Sequence, residues 1–517
     1  MRRRFAPAAS ALSLAAAVAA WVVAPGPAAR ADKALLASAC GACHNETDAG
    51  LSRIAGQRKT PEGWLMTIVR MRIAHGLAIE PADQAALVAY LADTQGLAPS
   101  ETTDWRYALE KDPAAIEAVE EPLASMCGRC HTMARVGLQR RTPEEWLLHM
   151  DFHVGQFPTV EYQALGRDRD WYETAKSEIA PMLAEAYPFD TEAWTAWQAA
   201  DKPDVAGDWV VMVDIAPSGT AYGTLSVAGS ASPYEVTGEL TLADGSSAPV
   251  SGKMNLYTGY EWRANLKIGD ETYRQVLAVS EDGTRLEGRQ FLASTDSLGG
   301  PLSGAKAGAG PVILGVTPEA AAPGSVTAQV IGVGLDGLAI DGAEGTATAN
   351  AAGAEVSLDG AAGDVAMLTA GENSASVAFY DSIDRLTVEP DFTIARVGGG
   401  SDIGPAAVPA QFKAIGWWNG PDGEAETDDD VRVGVIDDAS WSVVDRGELA
   451  EDMKDAEFAG SIDDSGVFSP AMAGPNPERP FSTNNAGDLT VVAEKDGKSG
   501  EAHLIVTVQR FIDPPIR

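Results

Sequence analysis

Apolar and polar positions follow one rule in the first two fifths of this chain and another in the rest. From residue 32 to about 200 the apolar residues recur at helical spacing, as in Trp64-Leu65-Met66-Thr67-Ile68-Val69 and again over residues 83–91. Past about Gly207, short β-branched and aromatic runs alternate with Gly, Asp, Asn, Ser and Pro clusters. Trp209-Val210-Val211-Met212-Val213, Tyr234-Glu235-Val236-Thr237-Gly238 and Leu504-Ile505-Val506-Thr507-Val508 are examples. Such runs predict half-buried antiparallel strands joined by tight turns. The expected fold class is multidomain, α followed by all-β.

The β region divides into three units. Residues 203–304 open with Gly207-Asp208-Trp209 and carry hairpin signals such as Ala243-Asp244-Gly245 and Glu281-Asp282-Gly283. Their regular strand-turn spacing predicts an up-and-down antiparallel barrel. The small residues from Ser303 to Gly310 read as a linker. Residues 311–400 and 405–517 each read as an immunoglobulin-like β-sandwich. The helical region, 32–202, splits into halves at about residue 100.

Two further properties change the picture. Arg2, Arg3 and Arg4, an Ala-rich apolar run and Ala29-Arg30-Ala31 before Asp32 form an expected export signal over residues 1–31. That run is short for a membrane span, and no later segment is long and apolar enough, so a periplasmic protein is expected. The formal charge of −36 becomes −40 once Arg2, Arg3, Arg4 and Arg30 leave with the signal. A surface so acidic disfavours nucleic acid as a partner and draws cationic ones.

The chain has only four cysteines, in two copies of one motif: Cys40-Gly41-Ala42-Cys43-His44 and Cys127-Gly128-Arg129-Cys130-His131. Cys-x-x-Cys-His is the attachment signature of c-type haem, with two thioether bonds to the porphyrin and histidine as proximal iron ligand. Two covalently bound haem c groups are therefore expected, in helical halves of cytochrome c type. Residues 83–91 would form the helix that closes the first. No cysteine remains for a disulfide, a nucleophile or a cysteine-derived cofactor.

A repeat points to the sixth ligands. Thr60-Pro61-Glu62-Gly63-Trp64-Leu65 matches Thr142-Pro143-Glu144-Glu145-Trp146-Leu147 at an offset of 82, and each threonine is placed to cap a helix beginning at its proline. The offset aligns Met71 with His153, each seven residues after its tryptophan and so near the same helical face. The expected pairs are His44/Met71 and His131/His153, with His75, His149 and Met150 as competitors. Methionine raises a haem potential relative to a second imidazole, so electrons would run from the second site to the first. Trp64 and Trp146 are expected against the haem edges, and His503 is expected to be structural.

Tandem Cys-Gly-x-Cys-His motifs, each followed by Thr-Pro-Glu-x-Trp-Leu, ahead of three β units, resemble the α subunit of quinohemoprotein amine dehydrogenase. The resemblance implies a heterotrimer that deaminates primary amines oxidatively to aldehyde and ammonia. In such an enzyme a γ subunit carries cysteine tryptophylquinone and a β subunit is propeller-like. The α subunit passes electrons to a soluble blue copper protein or cytochrome c. Substrate chemistry would then lie on a partner, with no catalytic residue here. The alternatives are a free-standing dihaem electron carrier or redox scaffold and, with matched sixth-ligand candidates weighing against it, a dihaem peroxidase.

Overall fold

A computed structural model describes residues 33–161, 169–215, 219–399 and 405–508. The expected export signal lies outside the described residues. Among the described residues no helix is long and apolar enough to cross a membrane.

Both Thr-Pro-Glu segments start helices as their cap chemistry requires. Pro61–His75 follows Thr60, whose hydroxyl accepts from the Gly63 amide at 3.3 Å. Pro143–Gln156 follows Thr142, whose hydroxyl accepts from Glu145 at 3.2 Å. In the first half Pro61–His75 packs on Pro81–Gln95, which contains the expected closing helix, around Trp64, Ile68, Leu87 and Leu91. In the second, Pro143–Gln156 packs on Ala180–Ala186 around Trp146, Met150, Trp171 and Ile179. The halves meet through two three-residue strands, Gln57–Lys59 and Gln139–Arg141, which pair antiparallel with Arg58 opposite Arg140. These strands are themselves equivalent at the offset of 82. The pairing therefore places a local two-fold axis between the halves.

Eight antiparallel strands from Gly207–Ile215 to Thr295–Lys306 close into a barrel, the last pairing with the first from Leu302↔Val213 to Lys306↔Trp209. Alternation along each strand buries Trp209, Val236, Leu266 and Trp262 inside. The stretch expected to be a linker from Ser303 is barrel strand as far as Lys306. Its small residues let it run beside Val210 and Val211, and Ala305 is wholly buried there.

The barrel docks on the helical region through the turn after Ser247–Tyr257. There the Thr258 amide donates to Asp93 at 2.8 Å, Trp197 donates its indole N–H to the Thr258 carbonyl at 2.9 Å, and Arg263 pairs with Glu62 at 2.6 Å. In residues 312–379 two four-stranded sheets enclose Val330, Val356, Leu368 and Phe379. In residues 385–507 one four-stranded and two three-stranded sheets surround Phe412, Phe468, Leu489 and Leu504. His503 pairs with Asp488 at 2.7 Å and packs against Phe392, a local structural role.

Candidate functional site

Each Cys-x-x-Cys-His motif closes one backbone turn. The Cys43 and His44 amides donate to the Cys40 carbonyl at 3.1 and 3.0 Å, and Cys130 and His131 donate to Cys127 at 3.0 and 3.4 Å. Both sulfurs and the imidazole of a motif are thereby presented together. The first motif leaves the end of the helix Lys33–Cys40, whereas the second leaves a π-turn, Ala124–Gly128. Cys40 borders the apolar cluster around Trp64, and Cys127 borders the one around Trp146. All four thiols are free of disulfides.

The histidines of both motifs are hydrogen-bonded through Nδ1. His44 Nδ1 lies 2.8 Å from the Ser52 carbonyl and His131 Nδ1 lies 2.9 Å from the Thr132 carbonyl. A carbonyl at Nδ1 holds the proton there and leaves Nε2 as an unprotonated donor atom, the arrangement of a metal-ligating imidazole. His153 is set the same way, with Nδ1 2.8 Å from the His149 carbonyl. The His131 and His153 rings lie 6.4 Å apart, centre to centre, at 33°. Burial pushes His131 down to about 4, so it is neutral at physiological pH.

The competing residues of the second half lie beside His153. His149 stacks on Phe152 at 5.5 Å and meets the His153 ring edge-on at 4.7 Å. Met150 is 3% exposed within the core. In the first half, Met71 is half-buried near the end of its helix, and its carbonyl accepts from Gly76 and Leu77 in the terminal cap. His75, the last helical residue, is exposed. Trp64 and Trp146 are almost completely buried and donate their indole N–H groups to the carbonyls of Gln95 and Tyr187 at 3.0 and 3.2 Å.

At the strand pair joining the two halves lies a buried ionic group that the sequence pattern does not single out. Arg58 clamps Glu101 with two bonds, 2.8 and 2.9 Å, and Arg140 approaches the same carboxylate at 3.2 Å. Arg58 also donates to the carbonyls of Gly96 and Phe189. Burial would raise the Glu101 pKa, but the Arg58 bonds and charge, the Ala98 amide and Arg140 outweigh it and hold the carboxyl below its usual value. The signal was present in the sequence: the repeat extends three residues upstream, Gln57-Arg58-Lys59 matching Gln139-Arg140-Arg141. A second missed residue is Glu117. It accepts from the Tyr107 hydroxyl at 2.5 Å and the Met133 amide at 2.8 Å, fixing the segment after His131. Both Tyr107 and Glu117 line a cavity of about 260 Å³ with Trp105, Leu123, Met133 and Tyr187.

Three family models match the chain. Residues 30–194 match the haem-binding region of quinohemoprotein amine dehydrogenase A, alpha subunit; residues 202–307 match domain II of that alpha subunit, and 386–516 match its domain IV. No curated protein matches. Among solved structures, a redesigned β-barrel bound to DFHBI is 15% identical, covering 20% of this chain and 94% of its own, with a TM-score of 0.18. A mouse clustered PcdhgC3 EC1-3 structure is 14% identical, covering 45% and 86%, with a TM-score of 0.17. The titin domains z1z2 in complex with telethonin are 12% identical, covering 38% and 96%, with a TM-score of 0.15.

Proposed function

This chain belongs to the family of quinohemoprotein amine dehydrogenase alpha subunits, and we propose that it is the dihaem electron-transfer subunit of a periplasmic enzyme of that kind. In this reading one haem is bonded to Cys40 and Cys43 with His44 on its iron, and the other to Cys127 and Cys130 with His131. Each haem, when bound, supplies a one-electron iron couple. The single observation that supports the site best is the His131/His153 pair. Their rings stand 6.4 Å apart, centre to centre, and with each Nδ1 engaged by a carbonyl both Nε2 atoms would be free to hold one iron.

The chain's own residues do the rest. Ser52, Thr132 and His149 hold the Nδ1 protons and aim the three Nε2 atoms. Trp64 and Trp146 fill the apolar interior behind the motifs and keep water out. Met71 opposite His44 and His153 opposite His131 would give unequal potentials, lower at the second motif. That inequality would direct electrons from a quinone on a γ subunit toward a soluble blue copper protein or cytochrome c. Every cysteine here lies in a haem motif, so cysteine tryptophylquinone and the amine chemistry belong to a partner. The barrel and the two C-terminal units, read as immunoglobulin-like sandwiches, would serve as scaffold for the γ and propeller-like β subunits.

Absorption spectra and redox titration of the exported chain test this reading. The expected result is two covalent haems, one titrating above the other, in a protein that co-purifies with two further chains and a quinone chromophore. A monomer with one haem, or with two haems and no partner chains, would overturn it.

A further inference from the structure

Side chains alternate across the paired strands at the two-fold axis. Arg58 and Arg140 point to one side, where Glu101 meets them. Lys59 and Arg141 share the opposite direction, and they are repeat equivalents at the offset of 82. Each lies over the tryptophan of its own half: the Lys59 ammonium is 5.0 Å from the Trp64 ring and the Arg141 guanidinium 5.6 Å from Trp146. They are 7% and 4% exposed.

Among the described residues neither cation is fully answered. Lys59 donates to Thr67 Oγ1 at 2.9 Å and makes no ion pair among the described residues. An ammonium has three donors. Arg141 donates to Gln139 at 2.9 Å and stands a long 3.7 Å from Glu145, which is itself held by Arg53 at 3.0 Å. From the facing helix comes another cation, Arg70, over the Phe152 ring at 5.2 Å. Arg53 and Arg141 thus share one carboxylate, Glu145, and Lys59 lies close enough to feel it together with the charges of Arg141, Arg70 and Arg53, in a protein whose net charge is −36. Burial first, and then the neighbouring guanidinium groups, push the Lys59 amine well below the usual lysine range. A buried charge left so poorly paired is costly, and an anion supplied from outside the described residues would relieve it.

Carboxylates of the required kind come with the haems, since each porphyrin carries two propionates. The cluster also borders the motifs. Trp64 packs in the group that contains Cys40, and Trp146 lies 6.1 Å from the His149 ring, which touches His153. We propose that Lys59 and Arg141 are the propionate anchors of the two haems, Lys59 for the one on Cys40/Cys43 and Arg141 for the one on Cys127/Cys130, and that their charge raises both potentials. The inference rests on the dihaem reading above.

The test is a redox titration of the full-length haem-loaded protein and of Lys59→Met and Arg141→Met, which keep bulk and remove charge. Each variant should lower the potential of its own haem enough to shift the one-electron equilibrium about tenfold, about 59 mV. Infrared difference spectra should show the matching carboxylate bands moved. Unchanged potentials in both variants, with haem spectra intact, would overturn the proposal. The charge-keeping variants Lys59→Arg and Arg141→Lys cover the case in which the methionine variants do not fold. They should titrate near the native protein, and a fall as deep as tenfold in them would assign the residues to packing and overturn it equally. A native chain without covalent haem would instead defeat the dihaem reading, an outcome distinguishable at the first spectrum.

Discussion

In the first half of the helical region the axial candidate on the Thr-Pro-Glu helix is Met71, half-buried near an exposed helix end. In the second it is His153, hydrogen-bonded to His149 and surrounded by Phe152, Trp171 and His149. The scaffold beneath them is the same in both: a capping threonine, a proline at the first turn, a buried tryptophan bonded to a carbonyl, and a cation over its ring. The halves also differ in what lies against them. Glu62 of the first helix is paired with Arg263 of the barrel, while its equivalent Glu144 is exposed. A duplicated frame thus carries methionine at one position and histidine at its equivalent, while one copy serves as the mounting point for another domain.

The largest effect should come from removing the axial side chains. His153→Ala should abolish the six-coordinate spectrum of one haem and leave the other intact; Met71→Ala should do the reverse. Equal disturbance of both haems by either variant would break the comparison, and a silent Met71→Ala would transfer the role to His75. Next in size is Glu101→Gln, which strands Arg58 and Arg140 in the interface that joins the halves. Breaking a buried ion pair costs about 3–5 kcal/mol, so thermal unfolding should shift strongly downward. A melting point unchanged from the native protein would mean that the halves are held by other contacts.

The mounting on the first half should be pH-sensitive. Burial raises Glu261 to about 8, Arg263 being engaged more closely by Glu62 at 2.6 Å than by Glu261 at 3.3 Å. A carboxyl that keeps its proton in the folded state and loses it when unfolded stabilises the fold fully only below the unfolded value. That contribution is lost as pH rises from about 4.5 toward about 8. Glu261→Gln should remove this part of the pH dependence and melt above the native protein at pH 8–9, by scanning calorimetry; a parallel pH profile would refute it. The smallest effects belong to the caps: Thr60→Ala and Thr142→Ala should each cost about 1 kcal/mol. Near-equal losses in urea titrations would confirm that the two helices begin alike.

These particulars show what a linear reading can reach. The helices after Thr60 and Thr142 were legible because capping is local, and the barrel because alternation and turns recur on a short period. The strands joining the halves were not. Gln57-Arg58-Lys59 has no apolar alternation, and its strand character comes entirely from its partner across the axis. The end of the barrel was misplaced for a related reason: Gly304 and Ala305 look like linker residues, yet their small size is what lets the closing strand pack. On the helices, spacing aligned Met71 with His153. Only the fold shows how near the His131 and His153 rings lie, because their separation depends on how a π-turn and a helix pack together.

The pairing of Arg58 with Arg140 also has a bearing on how the halves are joined. Two identical single-motif proteins meeting this way would form an isologous dimer, each presenting the same arginine to its twin. Such a dimer would repel itself at its centre. Here the neutralising acid, Glu101, lies in the connection between the halves and sits off the symmetry, so one copy of it serves both arginines. A single polypeptide thus does more than hold the two halves near each other. It supplies the counter-charge that their contact requires, and removing that charge, rather than cutting the chain beside it, is what would set the halves apart.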